Sequence, residues 1–507
     1  MKRNYLFTVV LLLIAMLSPF SAMAQATKYW TDVADTKWYD ANQTKFYLSS
    51  AEELAGVAVL VNNRTTTFAG CTIYLMEDIN LKGKQWVPIG NVESYNSFQG
   101  SLFGQGHTIQ GLTIDGYYSM QSHVYIGLIG YGSGYVTIKD LTLSEVTIGE
   151  VIADFNSTGA FIGEFWGNSL TLTSCHTASG SVIVGEVADC SIAGGLVAIA
   201  SGDIHISNCS NKLKVIGGKQ MTNANSYGIH TSGIVGIIYG YNTSMIQACV
   251  NYGEIIGGDA PEFNVYTGGI AGSIYRVTLI DCYNTGNVTG GSDVKFSNYT
   301  GGIAGYSEEM SITNCYASGK LNGGNTGSNI CTGGIVGYTA VTSISNCLAI
   351  QSEISGKGSI HRIAGREYEG LLSNNYSNTL GEWNNKGSDQ LDGGVWNDST
   401  SDAPISSWNG NIWDKSNLSL KWESAPISVS PIVLYLVTFD TDGGSHVRSR
   451  YVEADDLQSP AAPTKDNYAF SGWYIDSECT TLWDFNDPVT QDMTLYAKWM
   501  PTLSSGA

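Results

Sequence analysis

A seven-residue phrase recurs along this chain and constrains its fold more than any other feature. It reads Tyr-Thr-Gly-Gly-Ile-Ala-Gly at 266–272 and at 299–305, and Cys-Thr-Gly-Gly-Ile-Val-Gly at 331–337. Shorter versions occur upstream, at 125–130, 158–163 and 231–236. Repetition at such a period is typical of chains that stack one structural unit many times. The phrase therefore predicts a repeat architecture before any side-chain chemistry is considered.

A series of cysteines accompanies the repeats. Its members are spaced 32 to 40 residues apart: Cys175, Cys209, Cys249, Cys282, Cys315 and Cys347. An apolar residue stands three positions before each one, and the preceding segments are rich in β-branched and small polar residues, which favours strands over helices. In a stacked array these thiols point the same way, a geometry that does not suit disulfides. We therefore predict a ladder of buried thiols, and we expect the remaining cysteines to be free as well: Cys71, Cys190, Cys331 and Cys479.

These units predict an all-β chain folded as a right-handed parallel β-helix. One unit cannot bury its own apolar residues, whereas stacked units place equivalent residues about 4.8 Å apart and pair their backbone groups. A β-propeller also repeats at about 40 residues, but the variable spacing and the lack of a four-strand pattern disfavour it. The paired glycines, such as Gly268 and Gly269, are expected at a corner that needs positive φ or close backbone approach.

The first 24 residues have the pattern of an export signal. Lys2 and Arg3 precede an apolar run, and a small-x-small site predicts cleavage between Ala24 and Gln25. We expect no membrane span in the mature chain and a location at the cell surface, associated with the outer membrane, or in the medium. The formal net charge of −20 at pH 7 disfavours nucleic acid and anionic lipid as partners.

Changes of pattern divide the chain into five segments. Residues 1–24 are the predicted signal peptide, and residues 25–97 are the predicted N-terminal cap region. Residues 98–380 hold the repeats. Residues 381–430 break the period and are rich in tryptophan, which predicts a cap and linker that hides the open edge of the solenoid. A separate module is predicted over residues 431–501.

The repeats resemble the GLUG repeats of exported bacterial proteins, which are common in gut Bacteroidetes. The resemblance covers residues 45–375, and the opening segments 54–89 and 98–112 are similar to those that usually precede such arrays. One departure is Phe103, which stands where an Asp-Gly turn is more typical. The resemblance implies a surface or adhesin-like protein and, in some members, an attached protease.

The segment from Tyr435 resembles a second family, the Listeria–Bacteroides repeat of internalin-type surface proteins. Its motif residues occur in the expected order: Phe439, Gly443-Gly444, Pro463, Gly472-Trp473, Pro488-Val489 and the run from Thr494 to Trp499. The resemblance covers residues 435–500 and includes one copy of the module. It implies a small β-grasp-like module that follows the β-helix and serves as a spacer or interaction unit rather than a catalyst.

No motif in the sequence points to a particular catalytic chemistry. The H-E-x-x-H, Cys-x-x-Cys, Gly-x-Ser-x-Gly and phosphate-loop patterns are all missing. We therefore assign no catalytic residue, no metal ligand and no cofactor. Parallel β-helices often carry polysaccharide lyases and glycoside hydrolases, which need paired carboxylates, so a carbohydrate-active enzyme stays open as an alternative. The acidic residues considered for that role are Asp115, Asp140, Glu145, Glu150, Asp154 and Glu164.

An aromatic residue closely follows the glycine phrase in many units. The six residues are Tyr131, Trp166, Tyr239, Tyr275, Tyr306 and Tyr338. If equivalent positions stack, the rings form a stripe along the rod, and such flat amphipathic rings can bind a partner at low entropic cost. The alternative is a stripe that serves packing alone.

The leading hypothesis is a non-enzymatic, adhesin-like protein that binds a glycan or a host or bacterial surface protein through a repetitive face of the β-helix. A carbohydrate-active enzyme and a structural component of a surface assembly are the alternatives. The sequence makes no prediction of oligomeric state.

Overall fold

The predicted fold class is confirmed. The chain is all-β and forms a parallel β-solenoid of about eight turns, followed by a small C-terminal sheet. The computed structural model describes residues 28–91, 96–115, 123–221, 228–241, 243–378, 389–396, 405–424, 433–447, 449–454 and 457–502. The predicted signal peptide and its cleavage site at Ala24 and Gln25 lie outside the described residues.

The first of the two solenoid sheets contains most of the strands. Its N-terminal strands are Lys45–Leu48, Thr72–Leu75, Ile79–Asn80, Ser101–Phe103 and Thr108–Gln110. Its later strands are Ile129–Ser144, Ile162–Thr177, Val197–Ser207, Ser210–Asn211, Val235–Gly240, Met245–Gln247, Val250–Asn251, Ala271–Tyr275, Thr278–Ile280, Tyr283–Asn284, Ala304–Glu308, Ser311–Thr313, Tyr316–Ala317, Val336–Ala340, Ser343–Ser345, Leu348–Ala349, Ala364–Tyr368, Leu371–Ser373, Tyr376–Asn378 and Gly394–Trp396.

The second sheet completes each turn. Its strands are Thr113–Ile114, His123–Ile126, Val146–Gly159, Gly180–Gly194, Lys214–Ile216, Lys219–Gln220, Ile229–Ser232, Ile255–Ile256, Val265–Gly268, Val288–Thr289, Ser297–Gly301, Leu321–Asn322, Asn329–Gly333, Ile354–Ser355 and Ser359–His361. Pairing within both sheets is parallel, with equivalent residues in register; Ala304, for example, pairs with Ala271 on one side and with Val336 on the other.

The chain crosses from the second sheet to the first at the glycine phrase. A Cβ atom on Gly301 would collide with the carbonyl oxygen of Ala304, and one on Gly302 with that of Gly334. Neither glycine has positive φ. Close backbone approach therefore explains the paired glycines at this bend.

Two further corners of each turn are made by residues in the left-handed region. The residue before each ladder cysteine has φ between 51° and 55°: Ser174, Asn208, Ala248, Asp281, Asn314 and Asn346. The other corner is formed by Arg276, Glu309, Val341 and Glu369, with φ between 48° and 57°. Asn and Asp tolerate this conformation better than most residues, which explains why they so often precede the cysteine.

The six ladder cysteines lie in the solenoid core. Each is fully buried and carries a free thiol. Their Sγ atoms face backbone carbonyl oxygens, as Cys282 does toward Ile280 at 3.3 Å. The four other cysteines form no disulfide bond either. The neighbouring core positions stack in register, in the series Ile206, Ile246, Leu279, Ile312 and Ile344.

A buried asparagine ladder forms the turn that follows the cysteine. The Asn211 amide donates to Oδ1 of Asn251 at 2.8 Å, and the Asn251 amide donates to Oδ1 of Asn284 at 2.7 Å. The Asn251 and Asn284 amides also donate to the carbonyl oxygens of Gly253 and Gly286, each at 2.9 Å. These bonds satisfy polar groups that are shielded from water and link successive turns.

The parallel ladder begins inside the region predicted as an N-terminal cap. Lys45–Leu48 pairs with Thr72–Leu75, which pairs with Ser101–Phe103. The helix Ala51–Asn62, capped by the Ser50 side chain, lies between the first two strands and buries most of its residues. A short 3-10 helix, Trp30–Val33, precedes them.

Two parts of the tryptophan-rich segment have different positions. The helix Asp389–Asp392 and the strand Gly394–Trp396 lie at the end of the solenoid, where Leu391 packs against the core and the strand pairs with Tyr376–Asn378. Residues 405–424, which we call the strap, instead run along the side of the rod. The strap contains the 3-10 helices Ile405–Ser407 and Lys421–Glu423 and the paired strands Trp413–Asp414 and Ser419–Leu420.

The C-terminal module has a sheet and a core of its own. Its strands, in spatial order, are Arg450–Val452, Tyr435–Asp440, Met493–Pro501 and Tyr468–Tyr474, and the central two are parallel. Val437, Trp473 and Leu495 are among its buried residues. Glu453 of the module accepts hydrogen bonds from Lys45 at 3.2 Å and from the Tyr47 hydroxyl at 3.1 Å, on the first solenoid strand.

Candidate ligand-binding face

The residues on either side of the glycine bend that lie outside the main solenoid core form three columns, which together we call the bend face. Several of their members, including Ser157, Ile192 and Ile237, are buried. The first column of the bend face comes from the second sheet, before the bend: Tyr125, Ser157, Ile192, His230, Tyr266, Tyr299, Cys331 and Ser359. Its second and third columns come from the first sheet, after the bend, and all six aromatic residues of the predicted stripe lie in them.

Strand register divides the predicted stripe into two columns. The second column contains Tyr131, Glu164, Ile199, Ile237, Ser273, Tyr306, Tyr338 and Arg366. The third column lies two residues further along each strand and contains Ser133, Trp166, Ser201, Tyr239, Tyr275, Glu308, Ala340 and Tyr368. The six rings therefore share one face but do not stand in single file.

Within each column, neighbouring rings stack. The Tyr306 and Tyr338 ring centroids are 5.7 Å apart with an interplanar angle of 9°. Those of Tyr239 and Tyr275 are 5.1 Å apart with an angle of 18°. The rings of Trp166 and Tyr239 are 6.4 Å apart, with the Ser201 turn between them in the register.

The first column adds aromatic residues that sequence reasoning missed. Tyr299 stacks on Tyr338 at 4.9 Å and 13°, Tyr266 contacts Tyr306 edge-on at 5.8 Å, and Tyr125 stacks on Tyr131 at 5.6 Å. Rings from the two sides of the bend thus contact each other. The signal was present in the sequence, because Tyr266 and Tyr299 are the first residues of the repeated phrase.

Tyr266 and Tyr275 of the bend face keep their phenol protons at neutral pH. Burial raises the pKa of Tyr266 to about 12, and burial likewise raises the pKa of Tyr275. The Tyr306 hydroxyl donates to Oε2 of Glu308 at 2.7 Å. A cavity of about 220 Å³ opens beside these residues, lined by Tyr239, Gly240, Tyr275, Arg276, Glu308 and Glu309.

A buried carboxyl group lies among the rings. Glu164 occupies an outward position in the second column, yet only 6% of it is exposed. Burial raises the pKa of Glu164 to about 7, although hydrogen bonds from Trp166, Ser157 and Tyr125 act in the opposite direction. The Ser157 Oγ atom lies 3.4 Å from Oε2 of Glu164. A carboxyl group whose pKa is near neutral pH, beside a half-exposed indole, is a candidate functional group.

The other acidic residues considered as catalytic candidates have different surroundings. Asp140 faces Lys139 at 3.5 Å, and Glu145 forms an ion pair with Lys82 at 2.7 Å. Asp154 lies close enough to Asp189 to help raise the pKa of the Asp189 carboxyl, an effect dominated by burial. The backbone amide of Asp115 is bonded to Gln85, and the Glu150 side chain lies outside the described part of the chain.

The structure identifies no ready-made metal centre in its described ranges, since no group of three or more His, Cys, Asp or Glu side chains is placed there to hold an ion. Within the same residues, no helix has the length and apolar character needed to cross a membrane.

Comparisons with known proteins match two parts of the chain. The family model of the Listeria–Bacteroides repeat domain matches residues 435–498, and that of the GLUG motif matches residues 296–322, one unit of the array. A candidate Gly-rich membrane protein of Evansella cellulosilytica is 43% identical over 86 residues, which are 16% of this chain and 9% of that protein. Internalin H of Listeria monocytogenes is 32% identical over 111 residues, which are 19% of this chain and 20% of internalin H.

The chain thus spans a fifth or less of the lengths of these relatives. Among solved structures, a candidate immunoglobulin A1 protease from Bacteroides ovatus aligns over 74% of this chain and 92% of its own, with 18% identity and a TM-score of 0.38. The sequence matches fit a surface protein. The chain carries a GLUG motif within its solenoid and, after it, a Listeria–Bacteroides repeat domain.

Proposed function

We propose that this protein is exported to the cell surface or the medium and binds an extended glycan along its bend face, without cleaving it. The observation that carries the proposal is the set of stacked rings contributed from both sides of the bend, from Tyr266 to Tyr338. Partly exposed aromatic rings supply large, rigid contact areas at low entropic cost, and their hydroxyl groups supply donors at the edge.

The repetition of the face favours a ligand that is itself repetitive. Because successive turns are about 4.8 Å apart, the rings offer similar contacts at regular steps along the rod. A linear polysaccharide presents one sugar ring after another and can use such a series of sites. The gain in affinity from many weak contacts then comes from their physical linkage.

The negative charge of the protein limits the class of glycan that it is expected to bind. The formal net charge of −20 repels polyanions at long range, and the bend face itself carries acidic residues, Glu164 and Glu308, among its rings. We therefore expect a neutral polysaccharide rather than a sulfated or uronic-acid-rich one.

Affinity electrophoresis of the mature chain in gels that contain neutral polysaccharides tests the proposal. We would use arabinoxylan, barley β-glucan, galactomannan and laminarin, with polygalacturonate as the acidic comparison. The expected result is that at least one neutral polymer retards the wild type. The double variant Tyr306→Ala, Tyr338→Ala should bind that polymer about tenfold more weakly or worse, because it loses stacked aromatic contacts. Tyr468→Ala, which removes an exposed ring of the C-terminal module, is the matched control and should bind normally.

Other results would contradict the proposal in different ways. Retardation by none of the neutral polymers would argue against glycan binding and favour a protein partner. Unchanged affinity of the double variant would show that the rings serve packing alone.

A carbohydrate-active enzyme is the second candidate, and Glu164 is the observation that favours it. A carboxyl with a pKa of about 7 can act as a general acid near neutral pH. Glycoside hydrolysis uses a pair of carboxylates, and Glu164 is the member of the considered acids that lies on the bend face. Release of reducing ends from the bound polysaccharide, abolished by Glu164→Gln, would replace the binding proposal with this one.

A further inference from the structure

We propose that Glu164, with Trp166, Tyr125 and Ser157, forms a polar subsite in which the Glu164 carboxylate accepts a hydrogen bond from a hydroxyl group of a neutral sugar stacked on the Trp166 ring. The inference rests on the proposed function and identifies where along the bend face the glycan is held by polar recognition.

The first argument is the residue type. Glu164 occupies the same column as Ile199 and Ile237, which follow it on the next two turns. Isoleucine therefore fits this position of the repeat and suits its burial. A carboxylate that is 6% exposed is destabilising in comparison, because desolvating its charge is not fully offset by its hydrogen bonds. Packing alone would favour isoleucine over glutamate at this position.

The second argument is hydrogen-bonding capacity. An ionised carboxylate offers about four acceptor sites. Three donors act on Glu164, namely the Ser157 hydroxyl, the Tyr125 hydroxyl and the Trp166 indole. The carboxylate therefore retains capacity for about one further donor. Sugar hydroxyl groups supply such a donor.

The third argument is the geometry of the indole. Trp166 follows Glu164 by two residues on the same strand and is 48% exposed. The indole is close enough to Glu164 to lower the pKa of the carboxyl, so the ring and the carboxyl border the same site. An aromatic platform joined to a carboxylate matches a sugar, which has an apolar ring face and hydroxyl groups at its edge.

Ionisation of Glu164 should make glycan affinity depend on pH, which a purely structural role would not. The titratable groups that face it are Tyr125, across the bend, and Tyr131, on the preceding turn of the same column. Burial raises the pKa of Tyr125 well above its usual value, so this phenol stays neutral. Because the ionised carboxylate is the better acceptor, affinity is expected to increase as the pH rises through about 7.

Two variants of the mature chain test the subsite, with barley β-glucan and arabinoxylan as probes in affinity electrophoresis at pH 5.5 and pH 8. Glu164→Gln should bind about tenfold more weakly at pH 8, as for loss of a hydrogen bond to a charged group, and should lose the pH dependence. Glu164→Ile, which copies Ile199 and Ile237, should unfold at a higher temperature than the wild type but bind at least as weakly as Glu164→Gln.

The outcomes separate this inference from the proposed function. If both Glu164 variants bind like the wild type at both pH values while the Tyr306→Ala, Tyr338→Ala variant does not, the bend face binds glycan but the subsite is wrong. If Glu164→Ile lowers the unfolding temperature, Glu164 is structural and the subsite is likewise wrong. If the wild type binds none of the four neutral polysaccharides, arabinoxylan, barley β-glucan, galactomannan and laminarin, both proposals are overturned.

Discussion

The same turns of the solenoid carry two columns of tyrosines that differ in exposure to solvent. On the bend face, Tyr306 and Tyr338 stack at 5.7 Å and remain partly exposed. On the side of the rod, Tyr283 and Tyr316 stack at 4.7 Å, and the strap covers them until they are only 3% and 5% exposed. Both columns follow from the repeat, and among the described residues only the second column is covered by another segment of the chain.

The tyrosine column beneath the strap serves packing. Three indole N–H groups tie the strap to the rod: Trp408 donates to the Asn346 carbonyl at 3.0 Å, Trp413 to Oδ1 of Asp281 at 2.8 Å, and Trp422 to the Ala248 carbonyl at 3.0 Å. The Tyr316 hydroxyl donates to the Leu418 carbonyl at 2.6 Å, and Tyr252 and Tyr283 donate to Glu423. Apolar burial and polar satisfaction coincide there.

The bend face differs in both respects. Its rings contact one another without a covering segment among the described residues, and it holds a buried carboxyl whose pKa is raised. A surface that keeps partly exposed rings and a destabilising charge is typical of a binding site, where stability is given up for function. Three experiments probe this contrast.

The largest expected effect is on the strap side. Trp413→Ala should lower the free energy of unfolding by about 3–5 kcal/mol, because it removes a fully buried indole and takes a donor from the buried Asp281. Trp166→Ala, on the bend face, should lower it by about 1 kcal/mol. Urea unfolding followed by circular dichroism measures both. Similar losses for the two variants would mean that both faces serve packing equally.

A second experiment measures the stability that the bend face gives up. The Glu164 pKa is about 7 in the folded chain, against 4.5 for an ordinary glutamate, so the folded state binds the extra proton between these values. Stability should therefore fall as pH rises from 4.5 to 7, by on the order of 3 kcal/mol, and level off above that range.

Glu164→Gln provides the reference for this titration. Because the variant cannot ionise at this position, the difference in unfolding free energy between it and the wild type should be near zero at pH 4 and should grow up to pH 7. Urea titrations at half-unit pH steps measure the difference. A pH-independent difference would mean that Glu164 titrates as an ordinary surface carboxyl.

Much of this contrast could be predicted from the sequence, because residues separated by one repeat occupy equivalent positions on successive turns of a solenoid. The spacing of Cys249, Cys282 and Cys315 placed them in one buried ladder, and the spacing of Tyr306 and Tyr338 placed them side by side. The division of the stripe into two columns was also present in the sequence. Tyr306 directly follows the last glycine of its phrase, whereas Tyr239 and Tyr275 stand three residues after theirs. The prediction of a single stripe did not use this difference in spacing.

The strap was beyond prediction for a physical reason. The sequence marks residues 381–430 as rich in tryptophan, but where those rings pack depends on contacts with residues more than a hundred positions away, such as Trp413 with Asp281. The cap prediction assumed that the open end of the solenoid was the largest apolar surface to cover. The stacked Tyr283 and Tyr316 present a second one.

The smallest effect concerns the corner between the two faces. Val341 lies between the bend-face strand Val336–Ala340 and Ser343–Ser345, with φ of 48° and an exposed side chain. A β-branched residue is strained in the left-handed region, and asparagine tolerates it far better.

Val341→Asn should therefore raise the free energy of unfolding by about 1 kcal/mol, with no loss of glycan binding because the side chain belongs to none of the three columns. Val433→Asn, at an exposed valine without positive φ, controls for the change of side chain and should stay within about 0.5 kcal/mol of the wild type. Urea unfolding measures stability and affinity electrophoresis measures binding. Equal shifts for the two variants would show that backbone strain at the corner contributes nothing. A loss of binding by Val341→Asn alone would instead mean that the binding surface extends around the corner toward the strap, so that the two faces are not independent.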